Sequence, residues 1–301
     1  MISVIIPTFK RHAMLFYEIE QLKKQKKIEM EIIVVNDDIE NDPTDEITTL
    51  FPDVLYIKSE RKIGPGEKHQ LGFSLAHGEY VSFPDDDDYL IDNAFFFKAI
   101  SIMESNPQIA FVSGNSYIKR ESELDPSKEF VKSPLNVKGL YKGLDYLENM
   151  QGEYTKPLSS FPTVFRKSVL EKQDFMNQIE MSDVSIYMLA TMGGDAFFIE
   201  DYVGVYRVHN NSLTTKNSSS KWINNVLRQK EEIFVNVKGK LKDPNQWWLR
   251  HVSITYNFFA HTSRNRREKA KLLFWIMKHD HGCIGVRIFS LIRIVFLIWN
   301  R

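Results

Sequence analysis

The first ninety residues of the chain alternate between short apolar segments and longer segments with helical spacing. The apolar segments contain many β-branched residues and end at polar or proline positions, which predicts four β-strands: ISVIIPTF, MEIIVVND, VLYIKS and EYVSFP. The segments between them predict helices, the third after a glycine-rich turn: HAMLFYEIEQLKKQ, DEITTLF and KIGPGEKHQLGFSLAHG. Because the strand segments lack a polar alternation, we expect helices on both faces of a parallel sheet.

The alternation continues beyond residue 90 and changes character near residue 220. NAFFFKAISIMESNP predicts a helix, IAFVSGNSYIKR a strand, and the polar stretch ESELDPSKEFVKSPLN a loop. FPTVFRKSVLEKQDF predicts a strand that leads into a helix, EMSDVSIYMLATMGG a helix, and DAFFIEDYVGVYRVHNNSLT a strand before a polar turn. The predicted fold class is α/β, a mostly parallel sheet flanked by helices over residues 1–220, with a helical C-terminal region over residues 221–301.

Polar groups follow each of the four predicted strands. Thr8 ends the first, Asn36 and Asp37 end the second, the turn from Gly64 to Gly72 follows the third, and Asp85 to Asp88 follow the fourth. Ligands of parallel α/β sheets bind beyond the carboxyl ends of the strands. We therefore expect these groups, which are far apart in sequence, to converge on one site.

The segment FPDDDDYL places four carboxylates in a row directly behind a predicted buried strand. Like charges at this spacing repel one another, so the position calls for a functional reason. Carboxylate oxygens are ligands that Mg²⁺ and Mn²⁺ prefer in proteins. A solvated acidic loop is the alternative, and the place of the run at the end of a sheet strand favours the ion site.

Composition divides the chain into an acidic body and a basic end. The 301 residues are 43% hydrophobic and 26% charged, as in ordinary globular proteins, with 39 basic and 39 acidic side chains. From Lys238 to Arg301 there are 13 Lys or Arg and 3 Asp or Glu, so this end has a charge of +10 and the remainder −10. The basic end indicates an anionic surface, membrane or nucleic acid, and the acidic body indicates bound cations. One cysteine, Cys283, and a start without a signal-peptide pattern predict a cytoplasmic protein.

The last apolar stretch, IGVRIFSLIRIVFLIW, predicts an amphipathic helix. A membrane span needs roughly 20 mostly apolar residues. This stretch is shorter, and Arg287, Ser290 and Arg293 recur along it every three residues. The pattern predicts a helix in the plane of a membrane, with its arginines directed at lipid phosphates and Trp299 at the interface. Packing on the sheet domain or on a second subunit is the alternative, and the oligomeric state stays open.

The serial order of these motifs resembles the family 2 glycosyltransferases of the GT-A fold. The resemblance covers roughly residues 1–215 and rests on SVIIPTF, EIIVVND, LGFSLAHGEYVSFPDDDD, SDVSIYMLA and YRVHNNSLT. It implies an inverting enzyme that moves a sugar from a nucleotide-diphosphate donor, UDP-linked by preference, to a hydroxyl of a surface-glycan or lipid-linked acceptor. It also implies a divalent cation, Mn²⁺ or Mg²⁺, held by a DXD motif. We further expect no nucleic-acid partner and, from the basic amphipathic C-terminal segment, a location peripheral to the inner face of the plasma membrane.

The resemblance assigns the acidic run to the metal and the donor. Asp85 and Asp87 match the DXD motif and Asp88 is a further metal ligand, while an ambiguity of one residue in register makes Asp86 a donor-binding candidate. His209 matches a family histidine that approaches the metal or the diphosphate, and a purely structural histidine is the alternative. Three more polar residues are expected to line the same segment: Asn211, Ser212 and Thr214.

The resemblance assigns the donor base to the ends of the first two strands. Asp37 resembles the carboxylate that accepts the uracil imide hydrogen, and Pro7 with Thr8 resembles the backbone beside the same base. Relatives have an Asp-Asp pair before Gly-Ser at this point. Because this chain departs from that pattern, the choice among Asn36, Asp37 and Asp38 stays open, as does a capping role.

The resemblance also assigns a cation beside the donor diphosphate. Family members have Ala-Arg-Asn where this chain has Lys68, His69 and Gln70. If the role of that arginine is kept, it falls to Lys68 or to a protonated His69, aided by the N–H groups at the start of the next helix.

Inversion requires a base that takes the proton of the acceptor hydroxyl. Asp183, in EMSDVSIYML, matches the family aspartate with this role, and Ser182 stands where relatives have Glu. An aspartate that merely stabilises the helix N-terminus is the alternative.

Three other classes of protein are alternatives to the glycosyltransferase. A nucleotidyltransferase needs a basic glycine-rich loop near the N-terminus, and PTFKRHAM has no glycine. A dinucleotide-dependent oxidoreductase needs G-x-G-x-x-G after the first strand, and the sequence there does not match it. A non-catalytic carbohydrate- or lipid-binding module of the same fold is consistent with the departures at His69 and Ser182.

Overall fold

The structure is a computed structural model, and it describes residues 1–120, 130–209, 220–263 and 265–299. Ten strands are present in these ranges. They are Ile2–Thr8 (β1), Met30–Asn36 (β2), Leu55–Lys58 (β3), Tyr80–Ser82 (β4), Tyr89–Leu90 (β5), Ile109–Arg120 (β6), Val131–Lys132 (β7), Gly139–Tyr141 (β8), Thr163–Arg166 (β9) and Asp195–Val208 (β10).

The same ranges contain eleven α-helices and one short 3₁₀ turn at Phe175–Asn177. The helices are His12–Leu22 (α1), Thr44–Leu50 (α2), Gly64–Leu75 (α3), Phe95–Ser105 (α4), Gly143–Asn149 (α5), Lys167–Lys172 (α6), Asp183–Gly193 (α7), Ser220–Val237 (α8), Pro244–Thr262 (α9), Arg266–Lys278 (α10) and Ile284–Trp299 (α11).

The chain forms two compact units. The first contains Met1–Leu147 and Tyr154–Val208, which include the whole sheet. The second contains Glu148–Glu153 and His209–Arg301, which include α8 to α11. The division predicted from the sequence, a sheet domain at residues 1–220 and a helical region at residues 221–301, stays a prediction.

The sheet of the first unit has the order β3-β2-β1-β4-β9-β6-β10-β5, with β7 beside β6 and β8 beside β10. The long pairings are parallel: β1 with β2, β2 with β3, β1 with β4, and β6 with β10. This confirms the predicted α/β fold with a mostly parallel sheet. The sequence did not indicate that β9 inserts antiparallel between β4 and β6.

Helices cover both faces of β1, as the continuous apolar pattern predicted. Every residue of this strand is buried. On one face, Val4 and Ile6 join Leu15 and Ile19 of α1 in one apolar cluster. The opposite face packs on α3 so closely that a Cβ on Gly72 would lie 2.3 Å from Cγ2 of Ile5. Glycine at this position therefore allows α3 to approach the strand.

The second unit is helical, and aromatic rings form much of its interior. Phe234 of α8 stacks on Trp247 and Trp248 of α9, with ring centroids 5.7 and 5.2 Å away. Tyr256 of α9 meets Phe289 of α11 edge to face. In the described ranges, no helix combines the length and the apolar character that crossing a membrane requires.

The helix α11 is amphipathic, and its arginines are exposed but have partners within the second unit. Arg287 forms an ion pair with Asp280, and Nη2 of Arg293 donates to Oδ1 of Asn257 at 3.1 Å. Ser290, which lies between them on the helix, is fully buried. The arginines have oxygen partners within their own unit while Arg287 is still 59% exposed, so their contact with lipid phosphates stays a prediction.

Candidate functional site

The carboxyl ends of β1 and β2 meet, as the parallel topology requires. Thr8 is paired in register with Asn36. Oγ1 of Thr8 donates to Oδ2 of Asp86 at 2.7 Å, which ties the end of β1 to the acidic run behind β4. The convergence of polar groups at this edge is therefore observed.

Three carboxylates of the acidic run converge to within coordinating distance of one ion. One oxygen each from Asp85, Asp87 and Asp88 lie within 4.8 Å of one another. Asp88 is held in place because its Oδ2 accepts from Oγ of Ser159 and its Oδ1 from the backbone N–H of Arg207, both at 2.9 Å. The loop is thus fixed by β10 and by the segment before β9.

Asp86, Asp87 and Asp88 are buried and Asp85 is half-buried, which affects the protonation of the acidic run. Burial, together with the neighbouring charges of Asp183 and the other aspartates, raises the pKa of Asp85 well above its ordinary value. Burial and Asp87 likewise raise the pKa of Asp88. For Asp86, burial is partly offset by Arg11 and raises the pKa to about 6. Grouped carboxylates with disfavoured charges are stabilised by a bound cation.

Two arginines to which the sequence analysis assigned no role face the acidic run, Arg11 and, within the motif YRVHNNSLT, Arg207. Nη2 of Arg11 lies 2.6 Å from Oδ1 of Asp86, and Nη1 of Arg11 pairs with Oδ2 of Asp87. Nε of Arg207 donates to the backbone carbonyl of Asp87. A search for basic residues that also follow sheet strands would have found both, because Arg11 follows β1 and Arg207 lies near the end of β10.

A further carboxyl, on α1, lies near the charges of the acidic run. Glu18 is fully buried, and neither of its oxygens has a hydrogen-bond partner among the residues that the structure describes. Burial raises the pKa of Glu18 well above its usual range, and the opposing charge of Arg207 only partly offsets this shift. Helical spacing could have found it, because Glu18 lies on the same buried side of α1 as Leu15, Ile19 and Leu22.

The oxygen atoms of the acidic run are suitable ligands for a hard divalent cation such as Mg²⁺ or Mn²⁺. Asp85, Asp87 and Asp88 provide only carboxylate oxygens, which are ligands suited to Mg²⁺ or Mn²⁺. Their closeness and burial are unfavourable without a positive charge among them. Asp85, Asp87 and Asp88 are therefore the residues that would hold the ion.

Asp37 forms a buried ion pair at the start of α3. Its Oδ1 lies 2.8 Å from Nζ of Lys68, which also donates to the backbone carbonyl of Thr8 at 2.8 Å. Its Oδ2 accepts from the backbone N–H groups of Ile63 at 3.0 Å and Gly64 at 2.8 Å. Burial acts to raise the pKa of Asp37, but the hydrogen bonds from Lys68 and Gly64 outweigh it, so the pKa is lowered and Asp37 is ionised.

The two alternatives to Asp37 have local structural partners. Nδ2 of Asn36 donates to the hydroxyl of Tyr56 at 2.8 Å, and its Oδ1 accepts from the N–H of Asp38 at 2.9 Å. Oδ1 of Asp38 accepts from the N–H of Glu40 at 3.3 Å. Asp37 is the member of the trio that contacts both Lys68 and the start of α3.

His69 lies in an apolar environment that does not suit a positive charge. Its ring meets that of Phe83 edge to face, with centroids 5.4 Å apart. Neither ring nitrogen has a hydrogen-bond partner within the described ranges. Burial, with the nearby charge of Lys68, lowers the pKa of His69 to about 3. Of the two cations considered from the sequence, Lys68 is the one that has a carboxylate partner, since its Nζ lies 2.8 Å from Oδ1 of Asp37.

Asp183 is the first residue of α7, but Ser182 is the residue that caps the helix. Oγ of Ser182 accepts from the N–H of Ser185. Oδ1 of Asp183 instead lies 2.8 Å from Oγ of Ser160, whose hydroxyl is also 2.7 Å from the backbone carbonyl of Phe83. The charge of Asp183 contributes to the raised pKa of Asp85, which means that the two carboxylates are neighbours.

Lys156 is a cation close to Asp183 that no sequence motif indicated. Nζ of Lys156 donates to the carbonyls of Pro157 at 2.6 Å and Leu158 at 3.1 Å. Burial lowers the pKa of Lys156, and Asp183 opposes that shift. The stretch KPLSS contains no pattern that points to this proximity.

Of the remaining predicted site residues, the structure describes two, Pro7 and His209. Pro7 is buried in β1 opposite Val35. His209 is buried and begins the second segment of the second unit, and its role as a metal ligand stays a prediction. Asn211, Ser212 and Thr214 lie outside the described residues.

Solved structures similar to this chain are glycosyltransferases, and they define the class of fold. The crystal structure of Staphylococcus aureus TarS 1-349 in complex with UDP-GlcNAc has a TM-score of 0.68 at 16% identity, over 92% of this chain and 80% of that one. The mannosyltransferase PcManGT from Pyrobaculum calidifontis, in complex with GDP-Man and Mn²⁺, has a TM-score of 0.53 at 15% identity. This similarity covers 98% of this chain and 80% of the mannosyltransferase chain. The chain therefore has the GT-A fold.

The sequence places the chain within one family of that fold. The model of glycosyl transferase family 2 matches residues 3–173, which is more than half of the chain. The chain belongs to glycosyl transferase family 2 and is a glycosyltransferase, which confirms the resemblance seen in the motifs. A curated relative is the GalNAc(5)-diNAcBac-PP-undecaprenol beta-1,3-glucosyltransferase of Campylobacter jejuni, 28% identical over 222 residues, or 72% of this chain and 68% of the relative.

Proposed function

We propose that this glycosyltransferase is an inverting, metal-dependent enzyme that uses a UDP-sugar and transfers the sugar to a hydroxyl of a lipid-linked or surface glycan. The main support is the trio of Asp85, Asp87 and Asp88, whose oxygens lie within 4.8 Å of one another beside the ends of β1 and β2. TarS binds UDP-GlcNAc in a similar fold, which supports the UDP-sugar preference.

The donor site is proposed along the edge formed by β1, β2 and β4. Asp37, ionised and held by Lys68, accepts the imide hydrogen of the base, while Pro7 and Thr8 supply the backbone beside it. Asp86 fixes the edge through Thr8. A divalent cation bound by the carboxylate trio would neutralise the diphosphate as its bond to the sugar breaks.

Asp183 is proposed as the base. One of its oxygens takes the proton of the acceptor hydroxyl while the hydroxyl oxygen attacks the anomeric carbon from the face opposite the diphosphate. The hydroxyl of Ser160, 2.8 Å from Oδ1, orients the carboxylate. Since Ser182 already caps α7, the helix terminus does not require Asp183 as its cap.

A lipid-linked acceptor is proposed on the basis of the second unit as well as the relatives. The Campylobacter jejuni relative is named for a PP-undecaprenol acceptor. The helix α11 has a stripe of exposed apolar side chains, with Leu291 52% and Trp299 88% exposed. The other members of this stripe are Ile288, Ile292, Val295 and Phe296.

The apolar stripe and the charge of its surroundings fit an anionic bilayer surface. Apolar side chains of an in-plane helix enter the acyl boundary, and basic residues nearby are attracted to anionic headgroups. The region from Lys238 to Arg301 has a charge of +10. This would place the enzyme at the inner face of the plasma membrane, within reach of a lipid-linked acceptor.

Donor chemistry tests the proposed activity. Hydrolysis of a panel of UDP- and GDP-sugars is measured with Mn²⁺ and with EDTA, using the wild-type chain, Asp87→Asn and the control Asp53→Asn, which changes an exposed carboxylate that pairs with Lys23. We expect Mn²⁺-dependent release of UDP by the wild type and the control, and only the EDTA rate for Asp87→Asn. Equal rates in Mn²⁺ and EDTA would exclude the metal role.

Flotation with vesicles tests the membrane proposal. Leu291→Ser in the stripe is compared with Leu50→Ser on α2, since the two leucines are 52% and 55% exposed. We expect Leu291→Ser to lower the fraction bound to phosphatidylglycerol vesicles and Leu50→Ser to leave it unchanged. Binding that is equal for both variants, or equal on neutral phosphatidylcholine vesicles, would contradict the proposal.

A further inference from the structure

Arg11 occupies the acidic run in a way that conflicts with a bound cation. Its guanidinium pairs with Asp86 and, through Nη1, with Oδ2 of Asp87. Asp87 is also one of the three carboxylates that lie within 4.8 Å of one another. A guanidinium and a divalent cation on the same carboxylate repel each other at short range, so they exclude one another or share Asp87 unfavourably.

The backbone of Arg11 is held by hydrogen bonds, and its side chain is the more exposed partner of the ion pairs. The carbonyl of Arg11 accepts from the N–H groups of Met14 and Leu15, both at 3.0 Å, which fixes the residue at the start of α1. The side chain is 21% exposed, whereas the two aspartates are 0% and 10% exposed. The guanidinium therefore lies at the solvent side of the carboxylates and can leave them by rotation of its own side chain.

The other cations at this edge are held by additional contacts. Lys68 is buried between Asp37 and the carbonyl of Thr8. Arg207 is bound through Nε to the carbonyl of Asp87 and lies over the ring of Tyr89. The guanidinium of Arg11 is paired with the carboxylates of the acidic run, and its planar fork matches phosphate oxygens as well as carboxylates.

We propose that Arg11 is a placeholder cation that couples metal binding to donor binding. Without metal, it neutralises Asp86 and Asp87. When a divalent cation binds the carboxylate trio, Arg11 leaves Asp87 and pairs with the donor diphosphate, so each ligand favours the other. The inference rests on the proposed metal and UDP site, and it adds a residue and a binding order to that site.

A permanent structural ion pair predicts a different outcome from a placeholder. If Arg11 stayed on the carboxylates, its removal would alter stability but would leave UDP affinity at saturating metal unchanged. A placeholder opposes the metal when UDP is absent and assists UDP when the metal is present. The two roles therefore differ in the coupling between the ligands, which is a thermodynamic quantity that activity does not report.

The test measures Mn²⁺ affinity by electron paramagnetic resonance with and without UDP, and UDP affinity by calorimetry at saturating Mn²⁺. The variants are Arg11→Gln, Arg11→Lys and the control Lys23→Gln, which removes an exposed cation at the other end of α1. Arg11→Lys retains the charge and loses the fork, and it replaces Arg11→Gln if circular dichroism shows that the latter is unfolded.

For Arg11→Gln we expect Mn²⁺ without UDP to bind about tenfold more tightly than in the wild type, and the tightening caused by UDP to fall by about tenfold, an ordinary size for coupling between two sites. Arg11→Lys should keep the weak Mn²⁺ binding and lose UDP affinity, and Lys23→Gln should match the wild type. Unchanged coupling in Arg11→Gln overturns the placeholder role alone. A wild type that binds neither Mn²⁺ nor UDP overturns the proposed function as well.

Discussion

The lowered pKa of His69 can be tested quantitatively through the pH dependence of the protein's stability. We expect His69→Leu to make the stability of the protein less dependent on pH. In the wild type, burial lowers the pKa of His69 from 6.5 to about 3. The folded state therefore binds fewer protons than the unfolded state between these two pH values. The contribution of His69 to the free energy of unfolding is fully present above pH 6.5 and is lost as the pH falls from 6.5 towards 3.

The size of the effect follows from the pKa. Between pH 8 and pH 5 the unfolded state gains the proton of His69 and the folded state does not, which lowers the free energy of unfolding by about 2 kcal/mol. His69→Leu removes this contribution. Its absolute stability at pH 8 also changes, because the edge-to-face contact with Phe83 is lost and two unpaired nitrogens are removed. The difference in pH dependence isolates the protonation.

Urea denaturation at pH 8 and pH 5, in EDTA, measures this difference. All five tryptophans lie beyond residue 221, in the second unit, so far-UV circular dichroism is the better probe of the sheet. We expect the wild type to lose about 2 kcal/mol more than His69→Leu between the two pH values. An equal loss in both proteins would mean that His69 titrates normally in the fold, and that it is a candidate for the cation beside the donor.

Three further substitutions test other parts of the account. Lys68→Met should lower the free energy of unfolding by about 3–5 kcal/mol, because it leaves the buried charge of Asp37 unpaired; a loss that urea denaturation finds to be negligible would contradict the buried ion pair. Asp183→Asn should reduce sugar transfer by about 10²–10⁴-fold with unchanged UDP affinity by calorimetry; normal turnover would exclude Asp183 as base. Gly72→Ala should cost about 1–3 kcal/mol in thermal or urea unfolding, since its Cβ would meet Ile5; wild-type stability would show that α3 can shift away from β1.

The parallel part of the sheet could be predicted because its strands and helices are marked by local hydrophobic periodicity. The run ISVIIPTF became β1 within one residue, and the motifs at strand ends converged because parallel strands share a carboxyl edge. The strand β9 was predicted as an element, but its antiparallel place between β4 and β6 depends on long-range pairing that no local pattern encodes.

The sequence predicted the carboxylates of the candidate site, but it did not predict the basic residues that pair with them. Asp85 to Asp88 form a conspicuous run, whereas Arg11 and Arg207 are single basic residues separated from Asp87 by 76 and 120 positions. The direction of α11 could not be predicted either. Its period identifies an apolar side and a polar side, but the partners of the two arginines, Asp280 and Asn257, depend on how the helix packs within its unit.

The central claim is that the acidic run binds a divalent cation against the diphosphate of the donor. A crystal grown with Mn²⁺ and UDP, measured for anomalous scattering at the manganese edge, tests it most directly. We expect one manganese peak between the carboxylates of Asp85, Asp87 and Asp88 and the two phosphates, with Arg11 no longer paired with Asp87. Manganese and UDP bound elsewhere, with Arg11 still paired to Asp86 and Asp87, would contradict it.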